Sequence, residues 1–379
     1  MAERIWRVIG LMSGTSMDGI DVALLETDGI SIERLGPAGF HPYDPSDRKL
    51  LRDAMKVAAS LTDRAARPGI LADAEAMVTH RHIRAIDSFL SSCQLNRETV
   101  DLIGFHGQTM IHRPEIGLTV QIGDGPKLAE HTGIPVVYDF RAADVAAGGQ
   151  GAPLVPLFHG ALVRKAQLEG PVAVLNLGGI ANVSYIDSAD NDQLIACDTG
   201  PANALIDDFM LKRIGVPIDR NGACASRGAV DEAVLNALMG HDYFNKPPPK
   251  SLDRDAFMLP DLTALSDEDG AATLTEFTAR AVAHIMRFLP KPPVLWVLCG
   301  GGARNPEMVR RIGAHVGVPT IISDELGWSA DALEAQAFAY LAVRSLRKLP
   351  LTLPATTSVP VPVCGGVLAG SGAAASLQK

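Results

Sequence analysis

The chain has 379 residues, 47% of them apolar, and a formal charge of −9; these values exclude global disorder and argue for two domains rather than one small core. Lys and Arg are scattered without runs, which disfavours nucleic acid and anionic membrane surfaces, both of which are bound by clustered cations. Five widely spaced cysteines without a C-x-x-C fit a reduced, cytoplasmic chain. No apolar stretch nears the ~18 residues that span a bilayer. The start, MAERIWRVIGLMSG, lacks the sustained apolar core of a signal peptide.

Strand-like and helix-like stretches alternate. Ile5–Gly10 and Ile20–Glu26 read as paired strands, with Ile30–Gly39 as a candidate third. Ser46–Ala59 and Gly69–Gln94 read as helices. Leu102–His106 and Leu118–Ile122 read as short strands, Lys127–Thr132 as a helix, Pro135–Tyr138 as a strand and Arg141–Ala147 as a helix. A boundary or hinge is expected near Gly148-Gly149-Gln150-Gly151. The second half repeats the grammar. Val172–Leu177, Val183–Ile186 and Leu194–Asp198 read as strands and Ala202–Ile214 as a helix. Asp231–Met239 and Ala271–Leu289 read as helices, separated by NKPPPKSLDRDAF, a loop that Pro247, Pro248 and Pro249 keep extended. Val294–Cys299 reads as a buried strand, followed by helices from Pro306 and over Ser329–Leu346. The Pro- and Thr-rich tail from Pro350 to Val363 is expected to cross back over the surface.

Three strands run straight into small-residue turns: GLMSGTSMDG from Gly10, NLGGIAN from Asn176, and CGGGARN from Cys299. Each offers backbone N–H groups with no Cβ in the way, as close approach to a phosphate requires. None carries the Lys of a Walker A loop or the G-x-G-x-x-G spacing. The first turn holds Ser13, Gly14, Thr15, Ser16, Asp18 and Gly19, more polar groups than a hairpin needs. Its hydroxyls suit phosphate oxygens, and Asp18 or Asp21 suits a Mg²⁺ ion held through water. Asp18 is equally readable as a type I′ turn residue. Two strand–turn–strand elements and a strand–GGG–helix together resemble the sugar kinase/actin/chaperone-ATPase superfamily, in which two such turns grip the nucleotide phosphates and the third holds the adenosine.

Asp198 ends a strand beside an expected helix start at Pro201, which leaves it readable as a general base or as a turn residue. Glu334 borders the buried face of its helix and reads as a buried ion pair or a functional acid. GFHGQTMIHRP carries His106, Gln108 and Thr109, good hydrogen-bonding groups for a sugar, though a His at a strand end is commonly structural. Arg141 and Asp144 read as a helix-surface pair or an anion clamp. No set of metal ligands stands out among the His and Cys residues, and no G-x-S-x-G elbow is present.

The ordered set GLMSGTSMDGID, GFHGQT, QIGDG, YDFRAADVAAGGQGAPLVP, NLGGIANV, CDTGPANALID, CGGGARNP, WSADALEAQAFAYLA and CGGVLAG closely resembles the anhydro-N-acetylmuramic acid kinase family over nearly the whole chain. The resemblance implies an α/β, two-domain, actin-like sugar-kinase ATPase fold with a nucleotide and substrate cleft. It implies an N-terminal domain over 1–148, with the tail 350–379 as a candidate completion, and a C-terminal domain over 149–349. It further implies a cytoplasmic, homodimeric enzyme of cell-wall recycling that uses ATP and Mg²⁺ to cleave and phosphorylate 1,6-anhydro-N-acetylmuramic acid at O6. By position, Gly14, Thr15, Ser16, Met17, Asp18, Gly19, Ile20 and Asp21 would bind ATP phosphates and their metal. Gly178, Gly179 and Asn182 would form the second phosphate turn, and Gly300, Gly301, Gly302 and Asn305 would lie near adenosine. Asp198 would activate water; Glu334, His106, Gln108, Thr109 and Arg141 would face the sugar, Arg141 toward its lactyl carboxylate. Ala202 stands where many members carry Gly, and Ala fits if that position is already helical. Two other readings remain open from the residues: a kinase of another hexose or small carboxylate, and a nucleotide-gated regulatory ATPase.

Overall fold

The computed structural model describes residues 4–14, 16–188, 193–252 and 257–370. The chain divides into two compact units, 1–165 with 331–379, and 166–330. The first unit is built on a seven-stranded sheet. Its strands are β1 (Trp6–Ser13), β2 (Gly19–Thr27), β3 (Ile32–Pro42), β4 (Leu102–Arg113), β5 (Leu118–Ile122) and β6 (Val136–Tyr138), closed at one edge by a strand from the end of the chain, β12 (Val367–Ala369). The second unit is built on five strands, β7 (Pro171–Leu177), β8 (Ile180–Asp187), β9 (Leu194–Pro201), β10 (Leu295–Cys299) and β11 (Thr320–Ile322).

The two sheets share a plan. In the first, β3-β2-β1 is an antiparallel meander and β4 and β6 extend it in parallel. In the second, β9-β8-β7 is the meander and β10 and β11 are the parallel extension. Parallel strands need both faces covered. Ile9, Leu11, Ile20, Val22 and Leu24 therefore face a core shared with Leu51, Val78, Ile86 and Phe89 of the helices Pro45–Ala58 and Ile70–Ser92. The second unit packs Leu175, Val183 and Trp296 against Phe209, Phe277 and Met308 in the same way.

The opposite face of the first sheet is covered by the helix Leu333–Leu346 at backbone contact. Gly10 and Gly104 lie side by side on β1 and β4. A Cβ on Gly10 would fall 1.7 Å from Ala335 O, and one on Gly104 would fall 2.1 Å from Phe338 O. The two glycines thus make the groove in which the helix carrying Glu334 lies.

The boundaries differ from those expected at 148/149 and 349/350. The helix Pro156–Lys165 stays with the first unit, where Arg164 and Lys165 donate to Ile30 O and Glu33 O. Glu334 belongs to the first unit because its helix packs on β1, β2 and β4. β4 is also longer than expected. Gly107, with φ +74°, sits in a bulge that lets the strand leave β1 and continue against β5.

Candidate active site

The β1–β2 connection is fixed from outside the hairpin. Gln108 Nε2 donates to Gly14 O at 3.0 Å, and Ser13 Oγ donates to Gln108 Oε1. Tyr43 N–H donates to Asp18 O at 2.9 Å. Within the turn, Ser16 Oγ donates to Asp18 Oδ1 at 2.6 Å and Met17 N–H to Gly14 O at 3.1 Å. Among the described residues of the turn, the left-handed position is Met17, with φ +54°. The type I′ reading of Asp18-Gly19 does not hold: Gly19 opens β2, where a Cβ would meet His41 O at 2.5 Å. Thr15 lies outside the described residues. Ile20 is buried in the core, which leaves only its backbone for a ligand.

Asp21 lies on β2 opposite Met12, partly buried. Burial and the charges of Glu334, Asp18 and Asp331 push its carboxyl up to about 7. Glu334 also faces Arg141, whose guanidinium is drawn down to about 10 by burial, with Glu334 and Asp144 opposing that drop. The first unit therefore gathers Asp18, Asp21, Glu334 and Arg141 into one charged neighbourhood. Among the described residues no group of three or more His, Cys, Asp or Glu is placed to hold a metal ion by side chains alone.

His106 and Gln108 are both buried and engaged by neighbouring protein groups. His106 is 3% exposed; its Nδ1–H donates to Gly107 O at 2.8 Å, so Nε2 is free to accept from Arg141 Nε at 3.1 Å and Nη2 at 3.0 Å. Burial and the adjacent guanidinium hold the imidazole well below its ordinary range, hence neutral. Arg141 Nη1 donates to Gly151 O at 2.8 Å, so the guanidinium is held on two sides. Gln108 is fully buried in the turn's support. Thr109, partly exposed, accepts from Gln121 Nε2 at 3.2 Å, beside a cavity of about 310 Å³ whose lining includes Arg64, His106, Gln121 and Tyr138. Asp144 is neither a surface partner nor a clamp. Buried, it accepts from Gly151 N–H at 2.6 Å and from Thr352 and Thr357 hydroxyls, tying the tail to the first unit.

In the second unit, Asp198 lies opposite Asn182 on β8, next to a bulge. Its Oδ2 accepts from Leu252 N–H at 2.7 Å, and its N–H donates to Lys250 O at 2.9 Å. Burial pushes its carboxyl up to about 7, opposed by the Leu252 N–H and by Lys250. Pro201 ends β9 rather than starting the helix, which begins at Asn203. Ala202 has φ −120° and ψ −106°, outside both the helical and the left-handed region, so the helical geometry expected at this position is not found. The helix start is bound to the second turn: Ala202 N–H donates to Gly179 O and Asn203 N–H to Gly178 O. Asn203 Nδ2 adds bonds to Leu177 O and Gly178 O, a role the sequence reading missed. Its signal was present, as Asn at a helix entrance is a common partner of backbone groups.

In the third turn, Gly300 has φ +76° and lies where a Cβ would fall 2.2 Å from Asn176 Oδ1. Gly301 is open, and Gly302 packs on Leu177. Asn305 Oδ1 accepts from Glu307 and Met308 N–H, so it caps the helix Pro306–Val316.

Comparison with known proteins converges on one family. The family model for anhydro-N-acetylmuramic acid kinase matches residues 6–369. An anhydro-N-acetylmuramic acid kinase of Rhodopseudomonas palustris is 55% identical over 362 residues, covering 95% of this chain and 98% of that protein. One from Bradyrhizobium diazoefficiens is 53% identical over the same length and coverage. Among solved structures, Acidaminococcus fermentans (R)-2-hydroxyglutaryl-CoA dehydratase component A aligns over 89% of this chain and 99% of that one, at 12% identity and a TM-score of 0.47. With the turns, Asp198 and Glu334 all inside the matched span, the chain belongs to the anhydro-N-acetylmuramic acid kinase family of ATP-dependent sugar kinases.

Proposed function

We propose that the chain carries out its family's reaction with the residues placed above. Water adds to C1 of 1,6-anhydro-N-acetylmuramic acid as Asp198 takes its proton. The C1–O6 bond breaks, and O6 takes the γ-phosphoryl group of ATP. The products are N-acetylmuramic acid 6-phosphate and ADP. The carrying observation is Asp198 itself: a carboxylate on β9, oriented through Oδ2 by Leu252 N–H and raised by burial toward the neutral range where a general base works best. The family membership does not favour a different hexose or a regulatory ATPase.

The turns at Gly14 and at Gly178-Gly179 offer backbone N–H groups to ATP phosphates, and Gly300–Gly302 lies by the adenosine. Asp18 and Asp21 fit a Mg²⁺ ion: hard carboxylate oxygens, Asp21 raised by burial and by neighbouring acids whose repulsion a cation would relieve, with water and phosphate completing the shell. When bound, Mg²⁺ supplies charge neutralisation on the transferring phosphoryl group. Arg141 pairs with the lactyl carboxylate, and Glu334 and Thr109 face the sugar. We place the enzyme in the cytoplasm as a homodimer in cell-wall recycling; no helix of the described residues is long and apolar enough to cross a membrane.

The test is product mass after incubation with Mg-ATP and 1,6-anhydro-N-acetylmuramic acid in ¹⁸O-labelled water. The reading requires one phosphate and one labelled oxygen in the same product; an unaltered sugar, or phosphate without label, rejects it. The Arg141 assignment has its own check. Arg141→Met removes charged hydrogen bonds worth about 1.5–3 kcal/mol, so KM for the carboxylate sugar rises roughly 10–100-fold while KM for ATP holds. Equal losses against an anhydro sugar lacking the lactyl group would reject a carboxylate contact.

A further inference from the structure

The loop NKPPPKSL, residues 245–252, stands out in the sequence, and the reaction as assigned so far uses only its Leu252 N–H. In the structure its far end lies along Asp198. Besides the two backbone bonds from Asp198 N–H and Leu252 N–H, Tyr243 OH donates to the Asp198 carbonyl at 2.6 Å from the turn that precedes the loop. Of the two lysines in this strap, Lys246 is exposed and Lys250 is 6% exposed. Lysine is rarely buried so deeply without compensation. Here the ammonium donates to Tyr243 O at 3.1 Å and lies 4.4 Å from the Tyr243 ring and 5.5 Å from the Phe288 ring.

The geometry points to Lys250 as a positioning residue for the reaction: lodged against the Tyr243 ring, it holds the 243–252 strap on Asp198 and places a positive charge in the neighbourhood of this half-buried carboxylate. The inference rests on Asp198 being the general base. Around Asp198 the other titratable groups are the Cys197 thiol, pushed up to about 12, and the Tyr243 hydroxyl, pushed above its ordinary range; both stay neutral near neutral pH. Around Lys250 stand exposed Lys246 and His284, the latter lowered by burial and by Arg287. Lys250 is thus the charge that joins the larger effect of the Leu252 N–H in offsetting burial at Asp198, and its loss leaves the carboxyl protonated to higher pH.

The experiment is the pH profile of kcat in the full-length enzyme, with KM for ATP and for the anhydro sugar, for wild type, Lys250→Gln, Lys250→Met and Lys250→Arg. The neutral variants move the acid limb up by about one pH unit, so they run about tenfold slower on that limb and recover at high pH, while KM for ATP is unchanged. Lys250→Arg restores the limb. Lys250→Gln keeps a donor for Tyr243 O, so it carries the test if Lys250→Met does not fold. An unmoved limb in the folded Gln variant, or an equal shift in the Arg variant, overturns the inference. Asp198→Asn in the same assay separates the two levels: if it keeps wild-type turnover and limb, the base assignment itself fails, whatever Lys250 does.

Discussion

Asp198→Asn loses turnover by about 10²–10⁴-fold, the range a general base supplies, and loses label uptake and phosphorylation together. Asn retains an oxygen that accepts from Leu252 N–H, so the strap stays in place and the fold survives. The pH dependence follows from the raised carboxyl. In wild type, kcat falls as pH drops below about 7, because the base becomes protonated. Stability moves the opposite way. A carboxyl raised in the folded state binds a proton there that the unfolded chain has released, so the wild-type protein loses stability as pH rises from about 4, the ordinary Asp range, through about 7. Asp198→Asn removes that loss and should melt higher than wild type at pH 8, with the difference fading at low pH. A variant that keeps turnover, or melts lower than wild type at pH 8, contradicts the buried-base assignment.

Gly10→Ala is expected to be the most damaging single methyl in the first unit. The added Cβ would fall 1.7 Å from Ala335 O and 2.8 Å from Ala339 N, both backbone, so no rotamer change relieves it. The helix Leu333–Leu346 must lift from the sheet, at about 3 kcal/mol or more. Activity falls with stability, since the same helix carries Glu334 and sets its place beside Asp21 and Arg141. The control is Gly313→Ala, inside a helix, where the nearest atom to a new Cβ is Thr320 Cβ at 3.7 Å. That change stabilises by about 0.5–1 kcal/mol through helix propensity. Thermal melts of both variants decide it: similar small shifts would mean that Gly10 is not the contact that seats the helix.

Much of the candidate site could be read before any coordinates. Gly14 to Asp21, Gly178-Gly179 and Gly300–Gly302 announce themselves because a turn that must leave backbone N–H groups open excludes side chains, and that exclusion is local. Glu334 was legible as an acid bordering a buried face, and Asp198 as either a general base or a turn residue. What escaped was partnership. Nothing near His106 in the chain says that its Nε2 accepts from Arg141, or that Asp144 binds Thr352 and Thr357 from the tail. Lys250 looked like a loop lysine until its neighbours were Tyr243, Phe288 and Asp198. Gly10 and Gly104 read as ordinary strand glycines, because the helix that needs their bareness begins some two hundred residues further on than β4.

The amino-acid order alone sufficed for the two-fold repeat of strand grammar, the three turns and the family, since periodicity, turn chemistry and motif order are properties of neighbours along the chain. The fold had to supply the unit boundaries, the neutral tautomer of His106, the extension of β4 through Gly107 and the burial that raises Asp21 and Asp198. Each of these depends on desolvation or on hydrogen bonds between residues far apart in sequence, and such terms take their value only when the chain has closed around them.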